Sequence, residues 1–207
     1  REPLERDQAY ARAVAGLLRP KGRTLGSDVA GIVEAVGDGA TALAPGDAVL
    51  GDIYGTFGGF ADRVVAPEKL WVKRVGGMDA VVAATLPQSG TIALVGMGDR
   101  VRSGMRVLIN GAGGGSGPLA LQMAKTAGAE VWAVDNAEKL ALLRRLGADR
   151  VLDYRAEDFA QLVERFDLVL DLFGTRSARR VRRVLAPGGR YMLCLLYTSP
   201  SPRDRTR

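Results

Sequence analysis

A glycine-rich turn between two apolar stretches is the part of this sequence whose residue types most clearly suggest chemistry. Residues 107–117 read Val-Leu-Ile-Asn-Gly-Ala-Gly-Gly-Gly-Ser-Gly. Counted back from Gly117, the pattern is Ala112-x-Gly114-Gly115-x-Gly117, a variant of the dinucleotide-binding fingerprint with alanine first. Residues without bulk let backbone N–H groups approach a diphosphate, and the N-terminus of the following helix adds partial positive charge. The run therefore predicts a dinucleotide-binding turn, and the alternative is a plain tight connection between strand and helix.

An acidic residue follows at the distance that such a turn requires. Asp135 comes 18 residues after Gly117, at the end of the next predicted strand. There its carboxylate can accept hydrogen bonds from the adenosine ribose, or it can cap the helix that starts at Ala137. The negative charge repels a 2′-phosphate and favours NADH, whereas Lys139, one helical turn away, could pair with that phosphate or simply face solvent. The choice between NADH and NADPH stays open at this point.

The scarcity of histidine and cysteine limits the other chemistries. The 207 residues contain no His and a single Cys, Cys194. A protein zinc site needs several such ligands, and a catalytic triad or histidine general base needs a His, so we expect neither. One cysteine forms no internal disulfide, which fits a reducing compartment, and a cytoplasmic location is expected.

The charge balance of the chain is basic. The chain carries 29 Lys and Arg against 23 Asp and Glu, with a formal net charge of +6. The densest cluster, Arg176–Arg183, is expected to be a solvated helix face rather than a phosphate-binding patch, so no nucleic-acid partner is predicted. The uncharged runs Ala80–Gly98 and Val107–Ala124 are interrupted by Gly, Pro and polar residues, so neither predicts a membrane span.

The elements around the turn predict an α/β fold with a doubly wound parallel Rossmann sheet, preceded by part of a β-rich, barrel-like domain. The domains are expected at 1–80 (partial β-rich catalytic domain), 81–99 (linker helix region) and 100–194 (Rossmann domain). In the first, the expected strands are Val29–Val36, Ala48–Ile53 and Phe60–Ala66, after a weak helix at Ala9–Arg19. In the last, the expected strands are Arg106–Asn110, Glu130–Val134, Arg150–Asp153, Asp167–Leu172 and Arg190–Cys194, the last after a turn at Pro187–Gly189. The expected helices there are Gly117–Ala127, Ala137–Leu146, Ala156–Arg165 and Arg176–Leu185.

Six motifs in one order give the chain a family resemblance. They are Leu25–Val33 (Leu-Gly-Ser-Asp-Val-Ala-Gly-Ile-Val), Pro45–Val49, Gly58–Asp62, the glycine turn, Leu146–Asp149 with Val151–Tyr154, and Pro187–Gly189. Over about residues 1–194 the chain resembles the medium-chain dehydrogenase/reductase superfamily, in its zinc-free quinone oxidoreductase-like (zeta-crystallin-like) branch. Ser27 stands where zinc-dependent relatives carry a metal-binding His.

The resemblance implies NADPH- or NADH-dependent hydride transfer without zinc to a small-molecule quinone, enone or related carbonyl compound. The cofactor would lie in the cleft between the two domains. By family position, Gly113, Gly115 and Ser116 would touch the diphosphate, with Gly114 and Gly117 completing the turn. Asn136 would lie at the adenosine end, Tyr154 near the adenosine phosphate and Gly174 on the nicotinamide side. Tyr54 is the candidate catalytic hydrogen-bond donor.

Relative to the family pattern, about fifty N-terminal residues and the last Rossmann strand are expected to be missing, and 195–207 are expected to be a non-native tail. The chain alone should then be poorly stable and weakly active. Two other functions stay open: a non-catalytic NAD(P)-binding structural or regulatory protein, and an alcohol dehydrogenase working in the oxidative direction. A homodimer of the complete protein is also left open.

Overall fold

The computed structural model describes residues 24–194, which fold as two compact units. The first unit ends at Thr91 and the second begins at Ile92. The predicted helix at Ala9–Arg19 and the tail at 195–207 lie outside the described residues.

The first unit contains a three-stranded antiparallel sheet in the order β1–β2–β3. Its strands are β1 (Asp28–Ile32), β2 (Ala48–Asp52) and β3 (Trp71–Lys73). The predicted strand at Phe60–Ala66 is wrong, because after Phe60 donates to the Leu25 carbonyl no ladder continues. The third strand comes later, at Trp71, whose indole lies against Gly51: a Cβ there would come 2.7 Å from the ring carbon Cε3.

Two helices follow this sheet. The short helix α1 (Ala80–Ala83) is capped by Asp79, whose carboxylate accepts from the N–H groups of Val81 and Val82. The longer helix α2 spans Pro87–Met97.

The second unit confirms the predicted parallel sheet. Its strands are β4 (Arg106–Asn110), β5 (Glu130–Asp135), β6 (Arg150–Asp153), β7 (Phe166–Asp171) and β8 (Leu185–Leu193), in the spatial order β6–β5–β4–β7–β8. All four neighbouring pairs are parallel. The helices are α3 (Gly117–Thr126), α4 (Ala137–Arg145) and α5 (Ala178–Val181).

Both faces of this sheet are buried, as parallel sheets require. Because side chains alternate along a strand, Val107 and Ile109 of β4 pack into one apolar cluster and Leu108 into the other. The first cluster includes Leu121 of α3, and the second includes Phe166 of β7.

Two predicted helices and one predicted turn differ from the structure. The segment predicted as a helix at Ala156–Arg165 forms only a 3-10 turn at Phe159–Gln161, where Asp158 accepts from the Ala160 N–H. The helix predicted at Arg176–Leu185 ends early, as α5 followed by another 3-10 turn. Pro187–Gly189 lies inside β8, where the register of β8 against β7 shifts between Phe166 and Leu168, and a Cβ on Gly189 would come 2.7 Å from the Phe166 carbonyl oxygen.

The parallel sheet places four polar residues at the carboxyl ends of its strands. Asn110, Asp135, Asp153 and Asp171 end β4, β5, β6 and β7. From β4 the chain first adds strands on the β5 side and then on the β7 side. The strand order therefore reverses between β4 and β7, and ligands of open α/β sheets bind outside the carboxyl ends of the strands at such a point.

Asp149, just before β6, ties this sheet to α3, and its loss should destabilise the fold in a pH-dependent way. Its Oδ2 accepts from the Val131 N–H (2.6 Å) and lies 2.7 Å from Lys125 Nζ. Burial works to raise the pKa of Asp149, but the hydrogen bonds from Lys125 and Val131 outweigh it and hold that pKa below its ordinary value. A carboxyl whose pKa is lowered on folding stabilises the fold above its unfolded pKa, and this contribution is lost as the pH falls through the folded pKa.

We therefore expect Asp149→Asn to lower the free energy of unfolding at neutral pH by about 1 kcal/mol. The difference from wild type should shrink as the pH falls from the ordinary aspartate pKa through the lowered pKa of folded Asp149. Urea unfolding of wild type and Asp149→Asn at several pH values measures this difference in the free energy of unfolding. An equal difference at every pH would contradict the role given to the charge.

Candidate functional site

The glycine turn leaves β4 and is tied at once to the neighbouring strand. Gly111 has a φ of +81°, which a residue with a side chain rarely adopts. The N–H groups of Gly111 and Ala112 both donate to the Val134 carbonyl of β5, at 3.0 and 3.1 Å, and Gly114 donates back to Gly111 at 3.1 Å. These bonds fix the path of the turn between β4 and α3.

Close packing explains why two of the positions are glycine. A Cβ on Gly117 would lie 2.5 Å from the backbone Cα and C of Ala112, so α3 could not start where it does. A Cβ on Gly113 would come within 2.5 Å of Lys139 Cδ and 3.0 Å of Asp135 Oδ2. The absent side chains let the turn lie against both α3 and α4.

The second half of the turn presents backbone donors that the protein does not use. Within residues 24–194, the N–H groups of Gly115 and Ser116 have no hydrogen-bond acceptor, and the Ser116 side chain makes no capping bond to α3. These donors stand at the N-terminus of a ten-residue helix, where the peptide dipoles add positive potential. The turn is therefore suited to hold an anion such as a diphosphate.

Asp135 joins the turn to the start of α4. Only 7% of the residue is exposed. Its Oδ2 accepts from the Gly113 N–H at 2.7 Å and its Oδ1 from the Asn136 N–H at 2.9 Å, while Lys139 Nζ lies 3.6 Å from Oδ1. Each carboxylate oxygen has two lone pairs, so both keep the capacity to accept a further bond from a ligand hydroxyl.

Asn136 and Tyr154 lie next to the backbone of Asp135. Asn136 Oδ1 is the one enclosed side-chain polar atom in the described residues without a hydrogen-bond partner. The Tyr154 N–H donates to the Asp135 carbonyl at 3.1 Å, and its side chain is 46% exposed. The structure thus brings together the predicted residues Gly113, Asp135, Asn136, Lys139 and Tyr154, with an acceptor that a ligand donor would satisfy.

Tyr54 belongs to the first unit and sits in a glycine-bounded loop. Its N–H donates to Asp52 Oδ1 at 2.9 Å, and its ring meets Phe57 edge to face at 5.4 Å. Phe57 is the only described non-glycine residue with a positive φ, at +56°. Tyr54 is 56% exposed, so its hydroxyl-bearing ring is open to a ligand.

Sequence reasoning missed a polar cluster at the ends of β4 and β7. Asp171 is completely buried, and its Oδ1 accepts from Asn110 Nδ2 and from the Gly174 N–H, both at 2.8 Å. Of these residues only Gly174 was predicted to be functional. The signal was present, because Asn110 and Asp171 each end an apolar strand with a polar side chain.

Tyr191 of β8 completes this cluster. Its hydroxyl donates to Asp171 Oδ2 at 3.0 Å. Burial, followed by the charge and the hydrogen bond of Asp171, raises the pKa of Tyr191 far above its ordinary value. The phenol therefore stays protonated and keeps donating through the physiological pH range.

The described residues contain no cluster of metal-ligating side chains. Among residues 24–194 no group of three or more Cys, Asp or Glu could hold a metal ion, and the whole sequence has no His. In the same range, no helix is long and apolar enough to cross a membrane.

Two family models match the chain. The alcohol dehydrogenase GroES-like domain matches residues 5–76, and the zinc-binding dehydrogenase domain matches residues 115–202. The second match covers the glycine turn from Gly115 onward and the strands that follow it.

Three similar proteins illustrate the relationship. The 2-methylene-furan-3-one reductase of Solanum lycopersicum is 32% identical over 90% of this chain and 54% of its own length. The chloroplast envelope quinone oxidoreductase homolog of Arabidopsis thaliana is 40% identical over 66% of this chain and 44% of its own. The crystal structure of the Pseudomonas syringae pv. tomato DC3000 quinone oxidoreductase superposes with a TM-score of 0.73, at 31% identity, over 83% of this chain and 58% of that one. The chain thus spans about half the length of these relatives.

We expect Gly117→Ala to destabilise the second unit, since its new methyl group would overlap the Ala112 backbone. Overpacking of this kind costs about 1–3 kcal/mol. The matched control is Gly90→Ala in α2, where a Cβ meets nothing within 4 Å and the exchange should gain up to about 1 kcal/mol of helix propensity. Urea unfolding of the two variants measures both effects. Equal stability of the two variants would contradict the packing account.

Proposed function

Because the chain belongs to the medium-chain dehydrogenase/reductase superfamily, we propose that it transfers hydride from NADPH or NADH to a quinone, enone or related carbonyl compound. The observation that carries this proposal is the pair of unused backbone donors at Gly115 and Ser116, beside the buried Asp135 carboxylate. The names of the similar proteins, a furanone reductase and quinone oxidoreductases, support the substrate class.

The residues around the turn fit a dinucleotide. The N–H groups of Gly115 and Ser116 would hold the diphosphate at the start of α3, and Gly113, Gly114 and Gly117 would let the turn lie close enough for this. Asp135 would accept hydrogen bonds from the adenosine ribose, and Asn136 Oδ1, which has no donor of its own, would gain one at the same end of the cofactor. Lys139 and Tyr154 would flank this end, and Gly174 would serve the nicotinamide side. When bound, the dinucleotide supplies the hydride.

We propose that the reaction proceeds without zinc. In the first unit, Ser27 replaces the His of zinc-dependent relatives, and a sequence without His lacks the usual zinc ligand. The charge that develops on the substrate oxygen then needs a hydrogen-bond donor, and Tyr54 is the exposed candidate. The proton can come from this hydroxyl or from water.

The partners and location are part of the same proposal. The substrate is a small molecule, and neither nucleic acid nor a membrane is a proposed partner. The single cysteine in the sequence supports a reducing compartment such as the cytoplasm, although one relative is named for the chloroplast envelope.

The activity is tested on the longest natural protein that contains this chain. With a panel of quinones and enones, we expect oxidation of the reduced nicotinamide, followed by its absorbance, and the rate should be unchanged after treatment with a metal chelator. Tyr54→Phe should lower kcat by about a hundredfold or more, as for loss of one oxyanion donor. Cofactor binding without turnover would favour the non-catalytic role, and turnover only with alcohols and the oxidised cofactor would favour an alcohol dehydrogenase.

Asp135 should set the cofactor preference. We expect wild type to bind NADH more tightly than NADPH, because the buried carboxylate repels a 2′-phosphate. Asp135→Ser removes that charge, and the ratio of the two dissociation constants should shift toward NADPH by about tenfold, a small part of the repulsion at contact distance. The ratio is the readout because loss of the Gly113 bond weakens both cofactors alike.

The matched control is Asp153→Ser, which removes the carboxylate at the end of the neighbouring strand β6. Asp153 Oδ1 accepts only from the nearby Arg155 N–H, so the ratio should stay within about twofold of wild type, as expected for a screened charge. Tighter binding of NADPH by wild type would overturn the charge argument.

A further inference from the structure

One fully buried carboxylate lies where the strand order of the parallel sheet reverses. Asp171 is the last residue of β7, and its Cα lies opposite Asn110, the last residue of β4. The glycine turn begins at the very next residue, Gly111. Asp171 is therefore next to the cofactor turn although nothing in the turn's own sequence points to it.

Asp171 is held by four neutral donors. Its Oδ1 accepts from Asn110 Nδ2 and from the N–H groups of Phe173 and Gly174, at 2.8, 3.1 and 2.8 Å, and its Oδ2 accepts from the Tyr191 hydroxyl at 3.0 Å. No Lys or Arg of residues 24–194 forms an ion pair with it. A buried carboxylate with so many donors fixes their positions, because each lost bond would leave a polar group unsatisfied.

These bonds join three separate elements. Asn110 leads into the glycine turn, Phe173 and Gly174 form the loop after β7, and Tyr191 lies on β8. Gly174 has a φ of +72°, so the loop turns sharply at the residue that Asp171 holds. Gly111 packs on the same loop, since a Cβ there would come 3.3 Å from Leu172 Cβ.

Asp135 and Asp171 stand on strands that flank β4 from opposite sides. A dinucleotide has two nucleoside halves joined by its diphosphate. With the diphosphate on the turn after β4, one half extends toward β5 and the other toward β7. Resting on the proposed function, we propose that Asp171 is a positioning residue that shapes the loop Leu172–Gly174 as a surface for the nicotinamide half of the cofactor.

The test compares two ligands that share the adenosine half. NADH carries both halves, whereas ADP-ribose lacks the nicotinamide. Calorimetric titration of the longest natural protein that contains this chain should show that Asp171→Ala lowers the affinity for NADH by about tenfold or more, the effect of misplacing one or two hydrogen bonds. The affinity for ADP-ribose, which lacks the nicotinamide half, should fall much less. Asp171→Asn keeps one oxygen for the loop N–H groups and should recover most of the NADH affinity.

The matched control is Asp167→Ala, at the other end of the same strand. Asp167 Oδ2 accepts from the Arg106 N–H of β4 at 2.8 Å, so this change costs a comparable bond far from the turn. This change should lower the affinity for both ligands equally or for neither. If Asp171→Ala does not fold, Tyr191→Phe removes a single donor. It should still lower the affinity for NADH more than that for ADP-ribose, by about fivefold.

The outcomes separate the two proposals. Wild-type natural protein that binds neither ligand contradicts the proposed function itself. If wild-type protein binds both ligands and the Asp171 and Tyr191 variants lower both affinities equally or neither, the positioning role is overturned. The proposed function is then left standing. Selective loss of NADH on Asp167→Ala would also overturn it, since the effect would then not belong to the carboxyl end of β7.

Discussion

The hydrogen bond from the Gly113 N–H to the Asp135 carboxylate is the interaction on which the site depends. It holds the middle of the glycine turn against β5, and it exists only because Gly113 has no side chain to meet Asp135 Oδ2 and Lys139. The same carboxylate accepts from Asn136 at the start of α4. One carboxylate therefore links the glycine turn before α3 to the first residue before α4. The N–H groups of the first half of the turn bond to Val134, Asp135 and Gly111, whereas those of Gly115 and Ser116 have no acceptor in the described residues.

The sequence predicted the parts of the site that are formed by residues close together in the sequence. The strand, turn and helix around Gly117 follow from an apolar run, a glycine cluster and helical spacing within twenty residues. The helix predicted at Ala156–Arg165 did not form, and the segment makes long-range contacts instead: Asp158, which caps its 3-10 turn, forms ion pairs with Arg176 and Arg180. The link from Tyr191 to Asp171 depends on the parallel pairing of β7 with β8, including the irregularity near Gly189. No local pattern contains that pairing.

The two buried carboxylates at the edge of the sheet are stabilised differently, and their roles follow from the difference. Asp135 has a lysine 3.6 Å away and spare acceptor capacity beside a partly exposed tyrosine, so it can still respond to a ligand. Asp171 has no exposed surface, and four donors converge on it. A group enclosed in this way cannot touch a ligand without breaking its own bonds, so it acts through the loop that it holds.

In the first unit, Asp28 accepts a hydrogen bond from a helix N-terminus, at a position where zinc-dependent relatives carry a metal-binding segment. The resemblance places Ser27 and Asp28 where zinc-dependent relatives have a histidine and a glutamate. Asp28 Oδ1 accepts from the Gln88 N–H at 2.6 Å, sixty residues along the chain, and so caps the first turn of α2 after Pro87. The Ser27 carbonyl accepts from the buried Ile53 at 2.8 Å. The acid at this position thus serves a helix N-terminus, where a negative charge is stabilised by the peptide dipoles. Metal binding there would have to compete with that cap, in a segment that offers no imidazole.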